Sequence, residues 1–212
     1  MNRITLPLSL LIIFSLMLPV QAQERRQRSR NVGIAALVSH PAVHKELKLK
    51  DEQTTTLKQA AEEARKGFQA ARQLKDDEAR RTKNNEVNQK LRGVIAKTLN
   101  AEQRTRLLQI ELQWSTGAWI LRRTEVSKTL ELTQDQRREI LELAQKSQKT
   151  TKALRTSQND DNRQEIQKKI TAILAETREA ALKLLTEEQQ KKWKQALGEP
   201  FELPRPRRTQ RE

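Results

Sequence analysis

The chain repeats itself at a fixed distance. Val43, Lys45, Leu47, Leu49 and Gln53 recur as Val126, Lys128, Leu130, Leu132 and Gln136, each 83 positions later. Each copy is followed by a second Leu-x-x-x-Gln element, at Leu99 to Gln103 and at Leu185 to Gln189. A long, constant period is the mark of one supersecondary unit used twice. This constrains the architecture far more than the chemistry, because none of the echoed residues forms a catalytic constellation.

Between the echoes the apolar residues fall at three- and four-residue intervals, the period of a helix with one buried face. Leu57, Ala60, Ala61, Ala64, Phe68, Ala71 and Leu74 predict a helix over 51–75, with Lys58, Glu62, Glu63, Arg65 and Lys66 on its other side. Asp76-Asp77 reads as a turn. Val87, Leu91, Val94 and Ile95 predict a second helix over 78–98, and Leu107, Leu108, Ile110 and Leu112 a third from about residue 101. The second copy predicts a helix over 134–156, a polar loop at 157–162, a helix through Ile166, Ile170, Ile173 and Leu184, and a last short one carrying Trp193 and Leu197. No segment alternates with the period of two that a strand needs. With five Gly, six Pro, three Phe, three Trp and no Tyr, the composition suits a helical core of Leu, Ile, Val and Ala.

The Leu-x-x-x-Gln element has a local physical meaning. In Leu132-Thr133-Gln134-Asp135-Gln136, Thr133 is the expected N-cap and Gln136 stands at N3. That is capping-box spacing, in which the hydroxyl accepts from the N3 amide and the glutamine reaches back to the cap amide. Leu185, Thr186 and Gln189 repeat the arrangement, and Leu99, Asn100 and Gln103 replace Thr by Asn, another good cap. Leu49 to Gln53 departs, since Lys50 has no acceptor; Asp51 is then the expected cap.

The two ends read differently from the middle. Arg3, an apolar run over 6–18 and the small residues of Val20-Gln21-Ala22 read as a secretory signal peptide, 1–22. That run is short for a membrane span, so no transmembrane anchor is expected after cleavage. Residues 23–32, with Arg25, Arg26, Arg28 and Arg30, are expected to be a disordered basic segment. Residues 199–212, with Pro200, Pro204, Pro206 and four arginines, are expected to be an extended disordered tail. Helical repeats are expected over 33–116 and 117–198. The absence of cysteine removes disulfides and thiolate ligands. The 42 Lys and Arg against 27 Asp and Glu give a formal net charge of +15. A charge of that size speaks to polyanionic partners rather than to fold. Export directs it toward acidic proteins or an anionic envelope surface and away from nucleic acid.

At its Leu-Thr-x-x-Gln elements the chain resembles the Spy/CpxP family of exported helical proteins. Leu132 to Gln136 and Leu185 to Gln189 match that pattern fully; Leu99 to Gln103 and Leu49 to Gln53 match in part. The stretch from Gly117 through Val126 to Ile140 is similar to an element of small exported proteins of planctomycete type. The resemblance covers roughly residues 43–198. It implies long helices folded into hairpins, homodimers in some members, and either ATP-independent holding of unfolded clients or sensing of envelope stress and metal ions. Two units in tandem depart from the single-unit members.

His40 and His44 are the only histidines, spaced as metal ligands on a helix would be, with Glu46 or Glu63 within reach as a third ligand. Pro41 between them opposes a continuous helix, and Ser127 stands in the second copy where the first has His44. Surface histidines near a helix start are the expectation, with no metal and no cofactor. Trp114, Trp119 and Trp193 are expected in the core, Trp119 within an apolar run that plugs the junction of the copies. Carboxylates alternate with Lys and Arg on exposed faces, and no nucleophile, base or phosphate loop stands out, so enzymatic activity is not expected.

The expected fold is all-α, two tandem repeats of long antiparallel helices forming an elongated bundle or cradle. The expected function is a periplasmic or secreted binding protein, in the manner of a Spy-like holdase. A metal-responsive envelope sensor and a structural protein adhering to an anionic surface are the alternatives.

Overall fold

The computed structural model describes residues 32–204. The expected signal peptide, the basic segment up to residue 31 and the tail from residue 205 lie outside the described residues. Those described form an all-α protein, with no strand among them. The order is α1 (Ile34–Val38), α2 (Pro41–Glu46), α3 (Asp51–Gln73), α4 (Asp77–Thr98), α5 (Ala101–Trp114), a 3-10 helix (Ala118–Arg122), α6 (Thr124–Thr129), α7 (Gln134–Thr156), α8 (Arg163–Lys183) and α9 (Glu187–Leu197). None of these helices is long and apolar enough to cross a membrane.

The 83-residue offset is visible in the backbone. It carries α2 onto α6 and both ends of α3 onto both ends of α7. It also carries Lys48, with φ of 50°, onto Glu131, with φ of 51°. The echoed Val-x-Lys-x-Leu-x-Leu therefore spells a helix end, with no glycine to mark it. The Lys48 amide donates to the Lys45 carbonyl and the Leu49 amide to that of His44; Glu131 and Leu132 do the same to Lys128 and Ser127. This is the Schellman pattern, with a left-handed residue closing the turn and a leucine just beyond it folded back onto the core.

Long helices begin where capping residues allow. Asp76 Oδ1 accepts from the Ala79 amide at 2.7 Å, so α4 starts at Asp77 and the expected turn is its cap. Asn100, Thr133 and Thr186 cap α5, α7 and α9 as expected. At α3 the expectation is corrected. Asp51 is the first helical residue and Lys50 occupies the cap position, where its side chain caps no amide, while Gln53 Oε1 accepts from the Lys50 amide at 3.0 Å. Leu74, expected on the buried stripe, lies just past the last turn of α3 and is exposed.

Two apolar clusters form the core. The first joins α1 and α2 to one face of α3, α4 and α5 through Leu37, Val43, Leu57, Ala61, Leu91 and Ile110. The second joins the 3-10 helix and α6 to α7, α8 and α9 through Leu121, Val126, Leu130, Ile140, Ala181 and Trp193. Helix α5 serves both: Leu107 and Ile110 face the first cluster, Leu112 the second. Each fully buried leucine or isoleucine contributes about 2 kcal/mol. Helix α9 packs on α5, the chain turns at Gly198 (φ 61°), and a Cβ there would lie 2.3 Å from the Gln109 carboxamide. The positive φ favours glycine, whereas the Gln109 carboxamide, at the end of a flexible side chain, can move aside.

Residues 199–204 carry no helix, as expected of a tail, but the chain there is anchored. Phe201 is only 6% exposed and belongs to the first cluster. Its amide donates to Gln113 Oε1 at 2.8 Å, and its carbonyl accepts from Trp114 Nε1 at 3.1 Å. The prolines on either side concealed one phenylalanine with a pocket to fill.

Candidate functional site around the linker helix

The predicted helix-start motifs meet in pairs. Gln53 and Gln103 exchange carboxamide hydrogen bonds, Gln53 Nε2 to Gln103 Oε1 at 3.0 Å and the reverse at 3.4 Å. Gln136 and Gln189 do the same at 2.7 and 2.9 Å. Each Oε1 also accepts from its own cap amide, at Lys50, Asn100, Thr133 and Thr186. Each Nε2 also reaches a carbonyl: Gln53 that of Thr98, Gln103 that of Leu47, Gln136 that of Leu184 and Gln189 that of Glu131. Leu49, Leu99, Leu132 and Leu185 pack into the adjoining clusters. Sequence spacing revealed the local cap and not the clasp, because nothing local states that two helix starts 50 residues apart will touch. The clasps satisfy their own donors and acceptors, which makes them structural.

His40 and His44 are held apart in role. His40 Nδ1 accepts from the Ala42 amide at 3.1 Å and caps α2, with Pro41 in the first turn. Burial, and then the neighbouring His44, lower its pKa below 6.5. His44 is buried, and its Nε2 lies 2.8 Å from the Val38 carbonyl, to which it donates. Glu46 pairs with Arg106 at 2.7 Å and Glu63 with Lys90 at 2.8 Å. Among the described residues no three His, Asp or Glu side chains gather as metal ligands do.

The linker between the copies carries the exposed chemistry. Gly117 (φ 86°) turns the chain into the 3-10 helix, where residues three apart eclipse. Ala118 and Leu121 point inward and are fully buried. Trp119 and Arg122 fall on the outer side, and the guanidinium of Arg122 sits 4.8 Å from the Trp119 ring centroid. The apolar run does plug the junction, but Trp119 is 39% exposed, which corrects the expectation that it is core. Trp114 and Trp193 are buried as expected.

Beside Trp119 lies a cleft of about 500 Å³. Ile120 and Leu174 give it apolar wall, Asn88 and Gln148 carboxamides, and Arg155 a guanidinium without a partner among the described residues. Thr116 borders the same cleft, and its Oγ1 is buried without a hydrogen-bond partner among the described residues. Arg123 forms one wall and is fixed by Glu111, a buried carboxylate that also holds Arg92 at 2.8 Å. This triad joins α4, α5 and the end of the 3-10 helix, and it fixes the linker against the first half. A second cleft, of about 420 Å³, opens beside α6 and the first turns of α7.

The arrangement can bind and orient a ligand by charge, stacking and hydrogen bonds. No protein-family model matches this chain, and no curated protein or solved structure is significantly similar to it.

Proposed function

We propose that this is an exported, non-enzymatic binding protein that holds unfolded or acidic polypeptides on a basic helical surface, in the manner of a Spy-like holdase built from a duplicated helical unit. The observation that carries this reading is the linker cleft. It joins an exposed aromatic ring, apolar wall, the Thr116 hydroxyl and Arg155, neither of which has a side-chain partner among the described residues, in a chain of net charge +15. An unfolded segment offers the complementary set: apolar side chains, free backbone amides and carbonyls, and carboxylates. Long-range attraction brings an acidic client in, and contact with Trp119, Ile120 and Leu174 retains it. The equal helix boundaries at the 83-residue offset support the duplication.

Suppression of aggregation of a reduced, acidic model client tests the reading. Protection should fall at about 1 M salt, where the screening length is about 3 Å. It should also fall in a Trp119→Ala/Arg155→Ala variant that retains its helical circular dichroism. No protection by the wild-type chain in excess at low salt would end the proposal.

A further inference from the structure

The second cleft has an internal control. At the matching positions 83 residues earlier, α2 and the start of α3 repeat the backbone of α6 and the start of α7, and the side chains differ. In the first half His44 lies buried against the Val38 carbonyl. Ser127 stands at the matching position, shorter by a ring, and borders the cleft. Around it Arg122, Arg137 and Arg138 replace Ser39, Thr54 and Thr55, while Lys128 matches Lys45. The matching positions thus carry two lysines, Lys45 and Lys58, in the first half, and three arginines and a lysine in the second.

The charge is available. Arg122, Lys128 and Arg137 form no ion pair among the described residues, and Arg138 holds only the exposed Asp135 at 2.9 Å. No carboxylate lines the cleft. The nearby acids are turned to other partners, Glu125 to Arg123 at 3.7 Å and Glu131 to Lys192 at 2.8 Å. The floor is apolar, from Leu121, Leu132 and Ile140, and the hydroxyls of Thr124 and Ser127 add small donors.

From this geometry we infer that the cleft binds a phosphomonoester group attached to an apolar body. Several cations around one opening suit a compact dianion better than a single carboxylate. Guanidinium forks match the spacing of phosphate oxygens, and hydroxyls serve those that remain. The apolar floor takes the first carbons of the attached chain, within the volume ordinary for a ligand site. The site is separate from the Trp119 cleft, and the inference does not rest on the holdase reading.

Calorimetry on the chain 23–212 with inorganic phosphate, with dodecyl phosphate below its micellar concentration, and with phosphatidylcholine vesicles with and without phosphatidic acid tests it. Saturable binding is expected, tighter for dodecyl phosphate than for inorganic phosphate. Arg137→Thr/Arg138→Thr and, separately, Ser127→His place the first half's side chains in the second, and each should weaken binding by roughly tenfold or more. Lys97→Thr, which removes an exposed charge of α4 outside both clefts, should leave it unchanged. Capture of phosphatidic acid vesicles but not of pure phosphatidylcholine, lost in the same variants, would identify a lipid headgroup; binding of dodecyl phosphate alone would identify a free phosphomonoester; both outcomes support the site. Absence of saturable binding, equal loss in Lys97→Thr, or full affinity in both grafted variants would overturn it. Aggregation suppression measured on the same variants reports the holdase reading separately.

Discussion

The 83-residue offset carries the bounds of α2 and α3 onto those of α6 and α7, and the two halves differ in the side chains placed there. On α3 the inner face runs Ala64, Gly67, Phe68, and Gly67 lets α4 come so close that an added Cβ would lie 2.5 Å from Val87 Cγ2. On α7 the same positions are Ser147, Thr150 and Thr151, and Ser147 and Thr151 border the open cleft beside Trp119. The exchange of Phe68 for Thr151 and of His44 for Ser127 removes bulk from the second half twice. Smaller side chains thereby border the two clefts of the second half, where the first half has Phe68 and His44. The first half is further sealed by Phe201, delivered from the far end of the chain.

The sharpest way to break this comparison is to unseal the first half. Phe201→Ala should cost about 3–5 kcal/mol, the range for a buried aromatic whose site collapses incompletely. Denaturant unfolding measures it. Hydrogen exchange should show the loss concentrated in α1, α3 and α5, with α7 and α8 much less affected. Equal loosening of both halves would show that the two clusters unfold as one.

The clasps test the opposite property, what the halves have in common. Gln103→Ala and Gln189→Ala each strand a partner glutamine and a carbonyl, and each should destabilise by about 1–3 kcal/mol. Similar values at the two sites are expected, because the hydrogen bonds correspond nearly one for one. A large inequality would assign the clasp a different role in each copy.

Much of this was legible from the sequence, and the omissions have physical causes. Helix limits at Thr98, Ala101, Gln134 and Thr156 follow from capping residues and the 3.6-residue period, both local signals. The turns at Lys48 and Glu131 escaped notice because the left-handed residue is not glycine, so the usual stop signal is missing. Trp119 was misplaced because an apolar run was read without its helix type. In a 3-10 turn, Ala118 with Leu121 and Trp119 with Arg122 must take opposite sides. The clefts were illegible for a different reason. Ser127 and Thr151 signify cavities only once His44 and Phe68 are seen to fill the matching space.

A smaller difference lies at the starts of α3 and α7. Thr133 Oγ1 accepts from the Gln136 amide at 3.2 Å, whereas Lys50 offers no acceptor to Gln53. Thr133→Ala should therefore cost about 1 kcal/mol, and Lys50→Thr should gain about 0.5–1 kcal/mol by completing the box. Thermal melts of the two variants settle the sign. A neutral Lys50→Thr would mean that Asp51 and Glu52 in the first turn already satisfy the helix start by charge.

The mildest asymmetry is one of pH. His40 caps α2 through an unprotonated Nδ1, while the matching residue before α6 is Arg123, which does not titrate in this range. Protonation puts a hydrogen on Nδ1 and removes the acceptor from the Ala42 amide. Burial and the nearby His44 already hold the folded pKa of His40 below 6.5, so the unfolded chain binds the proton more readily. Stability from this group is then present above pH 6.5 and declines as the pH falls through 6.5 toward the lower folded value. Acidification should loosen α2 by hydrogen exchange and leave α6 unchanged. His40→Asn, which keeps a cap acceptor without a titrating proton, should flatten the profile in that window. If the wild-type slope survives in His40→Asn, the proton enters elsewhere and the cap is not its site.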